Sequence, residues 1–152
     1  MRVRLLAAAI FVALTVPHAA TAQKVPTPAS VIGFEPGTDR KLPQWRQVVD
    51  YFKALDAASP RVQLRVLGKT TLGRPFIAAF IGDEATIANL GKVKDVQRKL
   101  ADPRLTTPAE RAALERDAKV VVLVTSSIHS TEVGGILTPL NLAYKLATSE
   151  DP

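Results

Sequence analysis

The sequence contains no cysteine and only two histidines, His18 and His129. Without cysteine there is no disulfide framework, no thiolate metal site and no thiol redox chemistry, so a folded domain must rely on a hydrophobic core. Imidazole and thiolate are the usual nitrogen and sulfur ligands of a transition metal. At most two such ligands are therefore available in this chain.

Aromatic residues are also few, at 5% of the chain, and neither sign of charge is concentrated in one segment. The formal net charge is +6, but acidic residues stand between many of the basic ones. Nucleic-acid binding would need a concentrated basic stripe or stacking aromatic side chains. The pattern favours a solvated surface, and we expect no nucleic-acid partner.

No apolar run reaches the roughly 20 residues that a membrane-spanning helix needs. The most prominent run covers residues 5–16, which follow Arg2 and Arg4 and precede the Ala-Thr-Ala sequence of residues 20–22. A positive segment, an apolar segment and a small-residue cleavage site in this order are typical of a secretory signal peptide. We predict a signal peptide over residues 1–22 and an exported protein, periplasmic or extracellular, with no membrane span after cleavage.

The next residues show a change from loop to regular structure. Residues 23–42 are polar and contain several prolines, which predicts an extended arm leading to a domain over residues 43–152. Apolar residues at helical spacing predict an amphipathic helix over residues 43–58. Alternation over residues 62–67 and a second apolar run over residues 74–81, separated by a glycine-containing turn, predict a β-hairpin.

Two further helices and a strand are predicted after the hairpin. The helices cover residues 85–100 and 107–117, and the second begins with a capping-box signature, Thr107 as N-cap and Glu110 three positions later. The nearly continuous apolar run over residues 119–125 predicts a strand covered on both faces. The fold class is therefore α/β.

A motif with metal-binding chemistry follows this predicted strand. Residues 127–135 read Ser-Ile-His-Ser-Thr-Glu-Val-Gly-Gly, ahead of an apolar helical pattern. If His129 ends the loop and Glu132 opens the helix, the two side chains can point to one side, because residues three apart share a helical face. Catalytic zinc sites combine three such protein ligands with a water. We therefore predict His129 and Glu132 as metal ligands, with the third ligand unidentified.

A reading without metal is also open for this motif. A histidine in a polar loop often forms hydrogen bonds only with the backbone, and a glutamate in a first helical turn is favoured by the helix dipole alone. Elsewhere, Trp45 and Phe52 could form a ligand platform, but their helical spacing is typical of a core. Arg74 could lie near a substrate cleft, but an arginine at a turn is more often a surface residue.

Two separated motifs resemble the zinc carboxypeptidases of the M14 family. They are the segment LGKTTLGRPF at residues 67–76 and the segment IHSTEVGG after the predicted strand, and residues 32–39 ahead of Trp45 are similar to an exported bacterial branch. The resemblance implies a mixed β-sheet with flanking helices, Zn²⁺ as cofactor, and peptide or protein substrates that lose C-terminal residues. It also implies that His129 and Glu132 are the first two zinc ligands.

The resemblance further implies functional residues that this sequence does not contain. In the family, the third ligand, the substrate-carboxylate residues and the general base lie downstream of the positions reached here. We therefore expect an amino-terminal fragment with a truncated, partial sheet, no catalytic residue of its own and negligible peptidase activity. Two alternatives stay open: a zinc-dependent N-acyl amino acid deacylase, and a non-catalytic exported module that binds a partner through a sheet edge.

Overall fold

The computed structural model of the protein describes residues 24–150, so the predicted signal peptide lies outside the described residues. Six helices and two strands follow one another along this part of the chain. In order they are α1 (Pro28–Ile32), α2 (Trp45–Ala58), β1 (Val62–Lys69), β2 (Pro75–Ile81), α3 (Glu84–Ala88), α4 (Leu90–Ala101), α5 (Pro108–Asp117) and α6 (Gly134–Thr148), with a 3₁₀ turn (Pro103–Leu105) between α4 and α5. None of these helices is long and apolar enough to cross a membrane.

Helix α2 is the central element and confirms the helix predicted from apolar spacing. It begins with a capping box in which the side chains of Gln44 and Gln47 bind each other's backbone N–H groups. Tyr51 and Leu55, four residues apart, lie on one face and are completely buried. The helix ends at Ala58, because Pro60 disfavours helical backbone in Ser59, the residue before it.

Strands β1 and β2 form the predicted hairpin. They pair antiparallel from Val62 opposite Ile81 to Lys69 opposite Pro75, with a bulge between Val66 and Gly68. The connecting turn contains Gly73 at φ 72°, a left-handed conformation that glycine adopts without steric cost. Within residues 24–150 this two-stranded pair is the whole sheet.

The main hydrophobic core lies between α1, α2, the hairpin and α6. Besides residues of α2, its buried members include Ile32 of α1, Val62 of β1 and Leu140 of α6. The extended arm predicted over residues 23–42 therefore contains a helix, α1, which Thr27 caps and whose Ile32 joins the core. The boundary of the domain stays a prediction.

The helix predicted over residues 85–100 is in fact two helices, α3 and α4. The break lies at Asn89, whose side-chain amide donates to the carbonyl oxygen of Ala85 at 2.8 Å and whose backbone N–H bonds the carbonyl oxygen of Thr86. An asparagine side chain that competes for backbone groups in this way ends a helical ladder. The single-helix prediction was wrong for that reason.

The capping box at the start of α5 is confirmed. The Glu110 carboxylate accepts the backbone N–H of Thr107 at 2.8 Å, and the Thr107 hydroxyl accepts the backbone N–H of Glu110 at 3.3 Å. The Thr107 hydroxyl also donates to the Glu110 carboxylate at 2.8 Å, and the bond from the Thr107 backbone, followed by this one, holds the pKa of Glu110 below its ordinary value.

The buried strand predicted over residues 119–125 is not observed, and that prediction was wrong. The segment has no strand partner within residues 24–150, and its side chains are exposed, from 59% at Val124 to 92% at Val120. Its start is held by Lys119, which lies 3.7 Å from the Asp83 carboxylate and accepts a hydrogen bond from Gln97. β-Branched residues favour a strand only when neighbouring strands supply hydrogen bonds and cover their faces. We call residues 120–124 the apolar segment.

The buried hydroxyl of Tyr51 predicts an unusual mutational response. It has no hydrogen-bond partner among the described residues, so Tyr51→Phe should raise the free energy of unfolding by about 1 kcal/mol. Leu55→Ala, a matched change in the same core, should lower it by about 3 kcal/mol. Urea denaturation measures both values. A loss of stability in Tyr51→Phe would show that the hydroxyl is satisfied.

The same tyrosine predicts a pH dependence. Burial, with a smaller contribution from Tyr144, raises the pKa of Tyr51 far above its ordinary value, so the folded state binds the phenolic proton more tightly than the unfolded chain. Below about pH 10 the phenol is protonated in both states, and the free energy of unfolding does not depend on this group's ionisation. As the pH rises further, the unfolded chain loses the proton first, and the free energy of unfolding falls. Urea denaturation at neutral and alkaline pH should therefore show a smaller decrease in the free energy of unfolding for Tyr51→Phe than for the natural chain.

The exposed apolar segment predicts tolerance to charge. Val122 is 79% exposed, so Val122→Lys should change the free energy of unfolding by no more than about 0.5 kcal/mol and should reduce aggregation measured by light scattering. Val48→Lys is a control at a position that is 3% exposed, and it should lower the free energy of unfolding by roughly 3 kcal/mol or more. A loss above about 2 kcal/mol in Val122→Lys would mean that the segment is buried after all.

Candidate metal centre

The loop that carries the predicted ligands is set against the start of α6 by a close backbone approach. Ser127 has φ 63°, a left-handed conformation that is uncommon for residues with a β-carbon. A β-carbon at Gly135 would lie 3.3 Å from the backbone nitrogen of Ser127. The missing side chain of Gly135 therefore lets the loop lie directly on the first turn of α6.

His129 and Glu132 are the two ends of a single tight turn. The backbone N–H of Glu132 donates to the carbonyl oxygen of His129 at 3.2 Å, and the N–H of Gly135 continues this pattern to the carbonyl oxygen of Glu132 at 2.9 Å. Glu132 thus lies just ahead of the helix, which begins at Gly134, and not in its first turn as predicted. The three-residue spacing is helix-like because of the turn itself.

This turn brings the two side chains together. The Nδ1 atom of His129 lies 3.1 Å from the Oε1 atom of Glu132, and the side chains are 68% and 67% exposed. With a proton on Nδ1, the imidazole donates a hydrogen bond to the carboxylate. Without it, the pair presents one nitrogen lone pair and one carboxylate oxygen on the same side.

The donor set fits part of a zinc site. Nitrogen and oxygen ligands at about 2.0–2.2 Å from one tetrahedral zinc ion lie roughly 3.3 Å apart, which is close to the observed separation of 3.1 Å. A third donor does not join them: no group of three histidine, aspartate or glutamate side chains able to hold a metal exists among residues 24–150. The arrangement can therefore supply two of the three protein ligands of a catalytic zinc site.

Other residues of possible functional interest lie away from this pair. Phe52 is buried in the core, as its helical spacing predicted, whereas Trp45 is only half-buried and lines a surface cleft. Arg74 and Arg46 line the same cleft. From the sequence, a cleft position for Arg74 was only the less favoured interpretation, and nothing pointed to Arg46, because the two residues belong to different elements and only the tertiary fold brings them together.

The comparisons with known proteins give one match. The family model described as zinc carboxypeptidase, peptidase family M14, matches residues 48–152. The matched part includes most of α2, the hairpin and the His129–Glu132 turn. No curated protein and no solved structure matches the chain.

The close approach at Gly135 predicts a difference between two neighbouring glycines. Gly134→Ala should raise the free energy of unfolding by about 0.5 kcal/mol, because its β-carbon meets nothing within 4 Å and alanine favours the helix. Gly135→Ala should be less stable than Gly134→Ala by about 1 kcal/mol, because its β-carbon presses on the backbone of Ser127. Urea denaturation of the two variants tests this. Equal stabilisation of both would show that the loop does not lie on α6.

Proposed function

Because the chain belongs to the zinc carboxypeptidase family, we propose that it contributes to the zinc centre of a metallocarboxypeptidase, with His129 and Glu132 as two ligands of the ion. The observation that supports this assignment is the 3.1 Å separation of His129 Nδ1 and Glu132 Oε1 on one turn. Zinc prefers neutral imidazole nitrogen and carboxylate oxygen in catalytic sites. The family match supports zinc as the metal, and the geometry of the turn supports these two atoms as its ligands.

Each of the two residues has a distinct role in this proposal. His129 would bind the ion through Nδ1 in the neutral tautomer that carries its proton on Nε2, and that N–H would donate to an outer acceptor that orients the ring. The Glu132 carboxylate neutralises part of the charge of the ion. When bound, zinc acts as a Lewis acid toward the scissile carbonyl group of a substrate. The side chains are exposed, so a substrate has access to this position.

We propose peptides or proteins as substrates, with release of their C-terminal residues, because that is the chemistry of the family. We also propose export through the signal peptide of residues 1–22, which rests on the order of its positive, apolar and small residues. The match does not favour either alternative, the N-acyl amino acid deacylase or the non-catalytic exported module.

We further propose that the 152 residues alone hydrolyse peptides negligibly. Residues 24–150 offer two ligands but no third donor beside them, and we assign no general base among them. An ion held by only two exposed side chains has its other coordination positions occupied by water and dissociates readily. The turn is in this proposal a half-site, able to bind zinc but not to turn over a peptide.

Zinc titration by calorimetry tests the half-site. His129→Ala and Glu132→Ala should each weaken binding at least about tenfold, because each removes one of two ligands. Glu35→Ala, which removes an exposed carboxylate elsewhere, should leave it unchanged. Binding should also release protons, because the histidine nitrogen that binds the metal must be deprotonated.

Two results would contradict separate parts of this proposal. Zinc binding that is the same in His129→Ala, Glu132→Ala and the natural chain would contradict the ligand assignment. The same samples, given a peptide with a free C-terminus, should show no turnover above the zinc-only control. Clear turnover that His129→Ala abolishes would support the ligands but contradict the inactivity.

A further inference from the structure

A surface cleft between the start of α2 and the start of β2 has an apolar floor. The floor consists of Trp45, Val49 and Pro75, and the cleft encloses about 470 Å³, within the usual range for ligand sites. The indole N–H of Trp45 donates to the carbonyl oxygen of Pro75 at 3.0 Å. This bond fixes the ring against the strand, so the floor is formed before any ligand arrives. We call this site the Trp45 cleft.

The rim of the Trp45 cleft is basic. Arg46 and Lys53, seven residues apart, lie on the same side of α2, and Arg74 comes from the end of the hairpin turn. Neither guanidinium forms an ion pair or a side-chain hydrogen bond with any residue in the described range 24–150. All N–H donors of both guanidinium groups are therefore available to a ligand.

One carboxylate moderates this charge. Asp50 also lines the cleft and lies 3.9 Å from the Lys53 ammonium, and the two side chains are 50% and 64% exposed. Such an exposed pair holds its partners weakly. The cleft therefore combines two unpaired guanidinium groups with one carboxylate. This combination suits a ligand whose negative charges are separated by neutral stretches.

We propose that the Trp45 cleft binds an acidic peptide segment. An apolar side chain of the peptide lies on the indole of Trp45 and the ring of Pro75, and the aspartates or glutamates beside it pair with Arg46 and Arg74. A guanidinium group matches a carboxylate through two parallel hydrogen bonds, and an apolar contact with tryptophan adds area without disturbing them.

A peptide fits the Trp45 cleft better than a nucleic acid does. A continuous phosphate backbone would pass the Asp50 carboxylate and be repelled by it, and nucleic-acid sites on this scale usually offer several stacking aromatic rings. The Trp45 cleft has one aromatic ring, and the indole N–H of that ring already donates to the carbonyl oxygen of Pro75. Neither His129 nor Glu132 lines the cleft, so this proposal does not depend on the zinc half-site.

The chain offers a direct probe, because Trp45 is its only tryptophan. The fluorescence of the full chain, kept metal-free with a chelator, is titrated with acetyl-Gly-Glu-Leu-Glu-Gly-amide. Both ends of this peptide are blocked, so it has no C-terminal carboxylate that a carboxypeptidase site would recognise. The matched peptide acetyl-Gly-Gln-Leu-Gln-Gly-amide has the same shape without the charges.

The acidic peptide should change the emission of Trp45 and bind at least about fivefold more tightly than the glutamine peptide, and added salt should reduce the difference. Arg46→Gln and Arg74→Gln should each weaken its binding about three- to tenfold. Arg116→Gln, an equal charge change on α5, should stay within about twofold of the natural chain.

Three results would overturn the proposal. They are equal binding of the two peptides by the natural chain, unchanged affinity in both Arg46→Gln and Arg74→Gln, and tighter binding of a short single-stranded oligonucleotide than of the acidic peptide. The first comparison needs no variant, so it decides the question even if a substitution affects folding. Loss of zinc binding in the earlier titration leaves this result untouched, because the two experiments use different residues and a different ligand.

Discussion

The packing of α2 against α6 and the hairpin is the constraint on which the rest of the described structure depends. Tyr51 and Leu55 of α2 and Leu140 of α6 are fully buried in one cluster, and fully burying a large apolar side chain contributes about 1.5–3 kcal/mol. The end of α6 is held as well, since the guanidinium of Arg61 donates to the carbonyl oxygen of Ser149. α6 is therefore anchored along its middle and end, and the turn just ahead of it presents the His129–Glu132 pair.

Features with short-range causes could be predicted from the sequence. Helix α2 follows from apolar spacing, the hairpin from alternation around a glycine turn, and the start of α5 from the reciprocal bonds of Thr107 and Glu110. In each, residues a few positions apart contain the whole signal. The break at Asn89 is equally local, but the single-helix prediction gave the apolar periodicity more weight than the competing side-chain amide.

The apolar segment shows where such reasoning ends. A strand needs partners, and the identity of those partners is a property of the tertiary fold and not of residues 119–125. The His129–Glu132 pair could be predicted only in part. The spacing of His129 and Glu132 predicted their proximity, whereas the left-handed Ser127 and its contact with Gly135 became visible only in three dimensions. The Trp45 cleft also depends on long-range contacts, because Arg46 and Arg74 are far apart in the sequence and no local pattern predicts that they line one cleft.

The central claim is that one turn presents His129 Nδ1 and Glu132 Oε1 to the same zinc ion. Nitrogen-15 NMR of the His129 ring, recorded before and after addition of one equivalent of zinc, tests it most directly. We predict that Nδ1 moves to the metal-bound range while Nε2 carries the single ring proton, and that Glu132→Gln weakens the effect. Binding through Nε2, or an unchanged ring spectrum at saturating zinc, would contradict it.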